Sequence, residues 1–212
     1  MDELLNEHEQ GERVRSWLQR NALGLIGGIV AGLALIWAWQ WWQGQRAHQG
    51  ASQAIAYDDF EQKLAGPLAD AEKAYALVPA NTTYAVLAGL DLAKLQVDNG
   101  KNDEALATLR GLKTKDNGLQ LVINQRIAQL LLQAGKPADA LALIGKADDA
   151  VSLELIGDAE AAQQKTAAAR DAYQKALRTL EEGSPGRQLV ELKLSEVGGD
   201  AEPAKPAADA AG

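Results

Sequence analysis

Two histidines and several pairs of adjacent acidic residues are the side chains of this chain that first suggest acid–base or metal chemistry. The histidines are His8 and His48, and the acidic pairs include Asp58 with Asp59, Asp148 with Asp149, and Glu181 with Glu182. The two histidines flank a long apolar run, so they cannot meet at one site if that run crosses a membrane. Neighbours on a helix point about 100 degrees apart, so each acidic pair indicates solvated surface rather than a metal site.

The thiol that supports cysteine-based nucleophilic and redox chemistry is absent as well. The chain contains no cysteine, and no glycine-rich loop follows a strand-like segment to hold a phosphate. The lack of thiols is compatible with an oxidising compartment but does not establish one. We therefore expect a protein that is not an enzyme, without catalytic, metal-binding or cofactor-binding residues. A periplasmic hydrolase is the enzymatic alternative, and it would need site residues that this sequence does not offer.

An apolar run from residue 22 to residue 42 dominates the N-terminal part of the chain. Its sequence is ALGLIGGIVAGLALIWAWQWW, and no charged residue occurs between Asn21 and Gln45. As a helix it would be roughly 31 Å long, close to the hydrocarbon thickness of a bilayer. We therefore predict a single transmembrane anchor in contact with membrane lipid. A cleaved signal peptide is the alternative, but tryptophans end the run, and they suit the interface of a retained helix.

Basic residues predict the orientation of this anchor. Arg13, Arg15 and Arg20 precede the run closely, whereas only Arg46 follows it closely. This excess favours a cytoplasmic N-terminus in a single-pass protein of a bacterial inner membrane. The predicted order is a short cytoplasmic tail at 1–21, the anchor at 22–42, a periplasmic domain at 43–198 and a tail at 199–212. That last tail has almost nothing apolar to bury, so we predict that it is disordered.

Three glycines, Gly24, Gly28 and Gly32, recur every four residues within the predicted anchor. They share one face of a helix and leave a groove that a second membrane helix can approach closely. Glycine is also common in membrane helices without such a role. The spacing predicts a face for membrane helix packing. Whether its partner is a second copy of the chain, giving a homo-oligomer, or another protein stays open.

The predicted periplasmic domain is acidic and all-α. Beyond the anchor the chain carries 24 acidic and 18 basic residues, a net charge of about −6, which does not attract nucleic acid. Alanine and leucine are abundant, and no run alternates apolar and polar residues as a half-buried strand would. Glycine and proline breakers recur at intervals that leave helices of ordinary length. We predict helices and no nucleic-acid partner.

Two segments of this domain repeat with an offset of 35 residues. LAKLQVDNGKNDEALATLRGL begins at Leu92 and IAQLLLQAGKPADALALIGKA begins at Ile127, and their glycines and small residues coincide. A third segment, IGDAEAAQQKTAAARDAYQKA, begins at Ile156 after a shorter interval of 29 residues, with Gln164 in place of the turn glycine. Helix pairs that recur about every 34 residues look like the tetratricopeptide repeat, which predicts a helical-repeat solenoid.

Small residues have a packing role in such a solenoid. Ala105, Ala140 and Ala169 lie early in the second helix of each pair, where a small side chain lets two helices approach closely. A degenerate pair is predicted upstream, from Ala51 to Leu64 and from Leu68 to Leu77, and a capping helix downstream, from Arg187 to Val197.

The concave face of a helical-pair solenoid is lined by the first helix of each pair, and it is the surface used for binding. The repeat phase places nine residues there, namely Leu90, Lys94, Val97, Gln125, Gln129, Leu132, Glu154, Asp158 and Ala161. Their amphipathic mixture suits a peptide or a partner helix, and plain solvated helix surface is the alternative. The lysine and asparagine pair with which some repeats grip a C-terminal carboxylate is missing.

The layout of the chain resembles the YfgM family, the ancillary subunit of the SecYEG translocation channel. Three stretches carry the resemblance, which extends from about Glu12 to Val197: VRSWLQRNALGLIGGIVAGLALIWAWQWW, ASQAIAYDDF and YAVLAGLDLAKLQVDNGKNDEALATL. The proline- and alanine-rich tail after Gly198 lies outside it. The individual motifs are loose, but their order across nearly the whole chain is specific.

The resemblance implies an inner-membrane protein whose periplasmic repeats lie near the exit of the SecYEG translocon. It also implies a second partner, a membrane-anchored periplasmic chaperone of the PpiD type, and a role in passing exported proteins to periplasmic chaperones. The residues by themselves predict an anchored, non-enzymatic interaction module. A scaffold for envelope assembly or stress signalling would share every feature above, so it remains the alternative function.

Overall fold

The computed structural model describes residues 2–199, and the described chain is helical throughout. Its helices are α1 (Asp2–Leu64), α2 (Leu68–Tyr75), α3 (Thr83–Asp98), α4 (Asn102–Gly111), α5 (Asn117–Gln133), α6 (Pro137–Ile144), α7 (Ala150–Ala162), α8 (Thr166–Thr179) and α9 (Pro185–Glu196). No strand occurs among these residues, as the composition predicted. The predicted disordered tail lies outside the described residues from position 200 onward.

The chain forms two compact units, Met1–Ala54 and Ile55–Gly212. Large apolar side chains of the first unit are exposed, among them Trp37, Trp39 and Trp41. Within the described residues no single helix is both long and apolar enough to cross a membrane. Two helical stretches taken together, Arg15–Gly24 and Ile26–Leu64 with a 42° bend between them, meet the requirement on length and composition alone. The single anchor at residues 22–42 therefore stays a prediction.

Helix pairs build the second unit. Close packing joins α3 to α4, α5 to α6, and α7 to α8, and α5 packs also on α7. These are the three helix pairs that the repeated segments predicted. Upstream, Phe60 of α1 is buried against α2 and α3, together with Ala71 and Ala88. The predicted degenerate N-terminal pair is thus present, with the C-terminal part of α1 as its first helix.

The turns within the pairs repeat one geometry. Gly100 and Gly135 follow α3 and α5 with φ of 75° and 69°, in the left-handed region that glycine tolerates. In the turn between α7 and α8, Gln164 adopts φ of 63° at the equivalent position. In each turn the next backbone N–H bonds back to the helix, 2.8 Å from Lys101 to Gln96 and 2.8 Å from Lys136 to Leu131. These bonds satisfy carbonyls at the helix ends, so the turn forms with or without glycine.

The predicted small contact residues lie in the core. Ala105, Ala140 and Ala169 are fully buried, as expected for positions where paired helices approach closely. Ala105 and Ala140 belong to one apolar cluster with Ile123 and Leu130, which spans the first two pairs. The offset of 35 residues therefore placed the interior of the solenoid correctly.

The predicted capping helix is α9, and Arg187 fixes it to the preceding pair. Its guanidinium donates at 2.7 Å to the carbonyl of Leu177 at the C-terminal end of α8 and pairs with Glu191 at 2.8 Å. A cation is stabilised at a helix C-terminus because the last carbonyls have no partner within the helix. Val190 and Leu194 of α9 are buried, whereas Leu192 of the same helix is exposed.

Candidate functional site

A groove of about 340 Å³ opens between α3 and α5, the first helices of two successive pairs. Ala93, Leu109 and Leu130 form its floor, and all three are buried in the core of the solenoid. The remaining lining residues are Leu90, Asp91, Lys94, Val97, Val122, Arg126, Gln129 and Gln133. The groove therefore has an apolar base and polar side chains along its edges, which is the arrangement of a peptide-binding or helix-binding surface.

The seam between α3 and α5 differs from the other seams between first helices. Tyr57 of α1 donates to the carboxylate of Asp91 on α3, at 3.4 Å. Gln125 of α5 donates to Asp149 and Ser152 at the start of α7, at 2.8 and 3.1 Å. Across the α3–α5 seam the described chain has no side-chain hydrogen bond or ion pair. We call this seam open, because a groove lies along it and the described side chains form no polar contact across it.

Four of the nine predicted face residues lie in this groove. Leu90, Lys94 and Val97 line it from α3, and Gln129 lines it from α5. These positions come together because a spacing of three or four residues keeps side chains on one helix face. Lys94 is well exposed and has Asp98 at 3.8 Å, one turn along the same helix. An exposed pair of this kind is worth little, so Lys94 is available to a ligand.

The other predicted face residues lie elsewhere. Gln125 is turned toward α7 by its hydrogen bonds, and Leu132 is half-buried against the core. Glu154 and Asp158 on α7 both bind the ammonium of Lys193 from α9, at 2.6 and 2.7 Å. Their carboxylates are thus occupied within the chain. Ala161 packs beside the apolar cluster beneath α9.

Two polar residues that α5 contributes to the groove were not predicted, Arg126 and Gln133, and neither was Asp91 of α3. Arg126 and Gln133 lie three residues before and four residues after Gln129, so all three share one face of α5. The prediction used Gln125 and Leu132 instead, one position away in each case. Helical spacing from Gln129 alone would have identified them, but the sequence does not say which neighbouring stripe of α5 faces α3.

The electrostatics of the groove are set by three charged groups. Arg126 donates to Gln129 at 3.3 Å and pairs with no carboxylate in the described chain. Asp91 lies on the other side of the groove. Burial raises the pKa of its carboxyl, and this effect outweighs the hydrogen bond from Tyr57, which lowers the pKa. Burial and the charge of Asp91 in turn raise the pKa of Tyr57 to about 12. Tyr57 therefore stays a neutral donor at physiological pH, and Lys94 and Arg126 leave the groove edges positive.

Among the described residues, no group of three histidine, cysteine or acidic side chains is placed to hold a metal ion. The predicted acidic pairs are on the surface or in helix caps. Asp149, for example, caps α7 by accepting from the N–H of Ser152 at 3.0 Å, a common role for aspartate.

Comparisons with known proteins agree with this architecture. The profile of the tetratricopeptide repeat-like domain family matches residues 15–199. An ancillary SecYEG translocon subunit of Escherichia coli is 28% identical over 183 residues, covering 82% of this chain and 88% of that protein. Proteins of the same name from Haemophilus influenzae and Aggregatibacter actinomycetemcomitans are 25% and 27% identical, each covering 90% of this chain and 97% of the relative. No solved structure gives a significant match. The resemblance inferred from the sequence is confirmed.

Proposed function

The chain belongs to the tetratricopeptide repeat-like domain family, and we propose that it is a non-enzymatic, membrane-anchored accessory of the SecYEG translocon. The names of three relatives, matched over most of their length, support the translocon association. In this proposal the repeat domain binds a partner protein, and the anchor keeps it at the channel. The translocon and a periplasmic chaperone of the PpiD type are the partners, and exported chains pass from the first to the second.

The open seam between α3 and α5 is the observation that carries the binding role. Its neighbours along the same face are closed by Tyr57 with Asp91 and by Gln125 with Asp149. The apolar side chains of Leu90 and Val97 stay partly exposed in this groove, which suits a ligand better than uniform solvated surface does. We place the partner-binding surface at Leu90, Lys94, Val97 and Gln129.

The anchor and its orientation rest on the N-terminal unit. Residues 22–42 carry no charge and end in tryptophans that are exposed in the described chain. Side chains of this kind suit lipid and the headgroup interface rather than water. With the N-terminus in the cytoplasm, the repeat domain from residue 43 onward lies in the periplasm of a single-pass inner-membrane protein.

Protease accessibility tests this topology. Protease added to spheroplasts should digest the repeat domain, while the protein in untreated membranes keeps its full length. A domain that is protected until the cells are lysed would reverse the orientation. A mature protein that has lost the N-terminal tail together with the apolar run would replace the anchor with a signal peptide.

Affinity purification in mild detergent tests the translocon role. The unmutated protein, purified from its own bacterium after crosslinking, should carry SecYEG subunits and the periplasmic chaperone. Lys94→Glu combined with Gln129→Glu should lower the yield of a periplasmic partner, because it reverses the charge at the groove. If no channel subunit is recovered with the unmutated protein, a scaffold for envelope assembly or stress signalling becomes the better function.

A further inference from the structure

We propose that the α3–α5 groove selects a partner segment in which apolar side chains are flanked by carboxylates. This inference rests on the proposed function, because it names the chemistry of the ligand at the same surface. It commits to a protein segment, helical or extended, rather than to a lipid or a nucleic acid.

The apolar part of the ligand follows from the floor of the groove. Leu109 and Leu130 belong to the buried core, and Leu90 and Val97 border them without being fully covered. A volume of about 340 Å³ accommodates a few aliphatic side chains. Burying such side chains is the main favourable term in binding an amphipathic segment.

The carboxylates follow from the charges at the edges. Lys94 on one wall and Arg126 on the other are exposed, and Arg126 forms no ion pair in the described part of the chain. The opposing acid, Asp91, is half-buried and accepts a hydrogen bond from Tyr57. Asp98 lies 3.8 Å from Lys94 in an exposed pair that contributes little. The groove lining thus carries two cations against one acid, on a domain that is acidic as a whole. An acidic segment is drawn to this groove and repelled by most of the remaining surface.

The chain contains a charge-inverted example of the same arrangement. At the capped end of the solenoid, α7 carries the acids Glu154 and Asp158, and α9 supplies Lys193 to both of them. Beside that lysine, Val190 and Leu194 are the buried apolar residues of α9. By the repeat phase, Lys94 occupies the position that Asp158 occupies on α7. A segment docked beside α3 should then present an acid where α9 presents its lysine.

Peptide binding to the full-length protein in detergent tests the inference. The probe is a fluorescein-labelled amphipathic peptide of leucine, alanine and glutamate, and binding is measured by fluorescence anisotropy. Two matched peptides replace every glutamate by lysine or every leucine by serine. The acidic peptide should bind, and binding should weaken as salt is raised. The lysine and serine peptides should bind at least about tenfold more weakly. Equal binding of the acidic and lysine peptides would overturn the inference.

Variants of the protein locate the site. Lys94→Gln and Arg126→Gln should each weaken the acidic peptide about two- to fivefold, as expected for partly exposed charge pairs. Lys175→Gln is the matched control, because Lys175 is an exposed lysine of α8 paired with Asp171 outside the groove. Circular dichroism confirms that each variant is folded. If the acidic peptide binds both groove variants as tightly as it binds the unmutated protein, the assignment of the site is wrong.

The outcomes separate this inference from the proposed function. If the peptide binds at the groove but no channel subunit is recovered from membranes, the ligand chemistry stands and the translocon role fails. If channel and chaperone are recovered through the groove while the acidic peptide fails to bind, the function stands and the ligand chemistry is wrong.

Discussion

The aromatic ring of Tyr173 on α8 packs directly against the backbone of Gly157 on α7. A Cβ atom added at Gly157 would lie 2.8 Å from Cζ of that ring and closer still to other ring atoms. The close approach brings the Tyr173 hydroxyl to within 2.7 Å of Oδ1 of Asp158, to which it donates. Asp158 also binds Lys193 of α9. One glycine thus permits the contact that links α7, α8 and the capping helix.

Gly157→Ala should destabilise the repeat domain by about 1–3 kcal/mol, because the methyl group overlaps a buried ring that cannot easily move. Thermal unfolding followed by circular dichroism measures the effect. Gly111→Ala is the control, since nothing lies within 4 Å of a Cβ at that helical glycine. The control should be neutral or stabilising. Equal melting temperatures for the two variants would remove the packing role of Gly157.

Ala140→Leu should overpack the contact between α5 and α6 and cost about 1–3 kcal/mol. Ala140 is fully buried, whereas Ala142 on the same helix is exposed. Ala142→Leu is therefore a matched control with the same change of volume. Ala105→Leu and Ala169→Leu should behave like Ala140→Leu, because the repeat places them equivalently. Unchanged melting temperatures for all three would contradict the repeat register.

Lys193→Met should loosen α9. The substitution keeps the aliphatic stem but leaves Glu154 and Asp158 facing each other without a cation, at a cost of about 1–3 kcal/mol. Hydrogen exchange measured by mass spectrometry should accelerate in α9, relative to the unmutated protein, more than it does in α5. The control is Lys175→Met, which removes a more exposed ion pair and should change stability by less than about 0.5 kcal/mol. Unaltered exchange in α9 would refute the role of Lys193.

Alkaline pH should destabilise the repeat domain. Burial acts to lower the pKa of Lys193, but hydrogen bonds to Asp158 and Glu154 outweigh it and raise that pKa above its ordinary 10.5. Burial raises the pKa of Tyr57 from 10.0 to about 12. Both groups hold their protons more tightly when folded. Their stabilising contribution is complete below the unfolded pKa and is lost as the pH rises through the folded value.

Denaturation across a pH series checks this sign. The free energy of unfolding should fall as the pH rises above about 10. The Lys193→Met variant should lose less of its free energy of unfolding at alkaline pH than the unmutated protein does. In a spectrophotometric titration, Tyr57→Phe should remove an ionisation near pH 12. A free energy of unfolding that rises with pH in this range would show that the assigned directions are wrong.

If residues 22–42 form the proposed anchor, bulky substitution of Gly24, Gly28 and Gly32 should weaken its association with a membrane partner and leave the repeat domain intact. In the described chain nothing lies within 4 Å of a Cβ at any of the three, so the first carbon of a larger side chain meets no neighbour there. A membrane partner that packs closely on this face would be displaced. Val30→Phe, on the opposite face of the same helix, is the control. If the glycine variants co-purify as much translocon as the control and the unmutated protein do, the packing face is excluded.

The repeat could be predicted from the sequence because its determinants are local. An offset of 35 residues identifies the turns at Gly100 and Gly135, and the same phase identifies Gln164, since each turn is formed by hydrogen bonds within a few residues. The buried alanines follow equally, because the side that a helix presents to its pair partner is fixed by spacing along that helix. The all-helical fold and four groove residues were available from the sequence for this reason.

The open seam was decided by the tertiary structure alone. Whether the first helices of two successive pairs touch or separate depends on how whole pairs pack. No local pattern near Val97 or Gln129 predicts that separation. The occupation of Glu154 and Asp158 is a similar case, because their partner Lys193 follows Glu154 by 39 residues and reaches α7 only when α9 caps the solenoid. The sequence determined which side chains share a helix face. Only the packing of one pair against the next determined which faces remain open, since that depends on contacts between segments far apart in the chain.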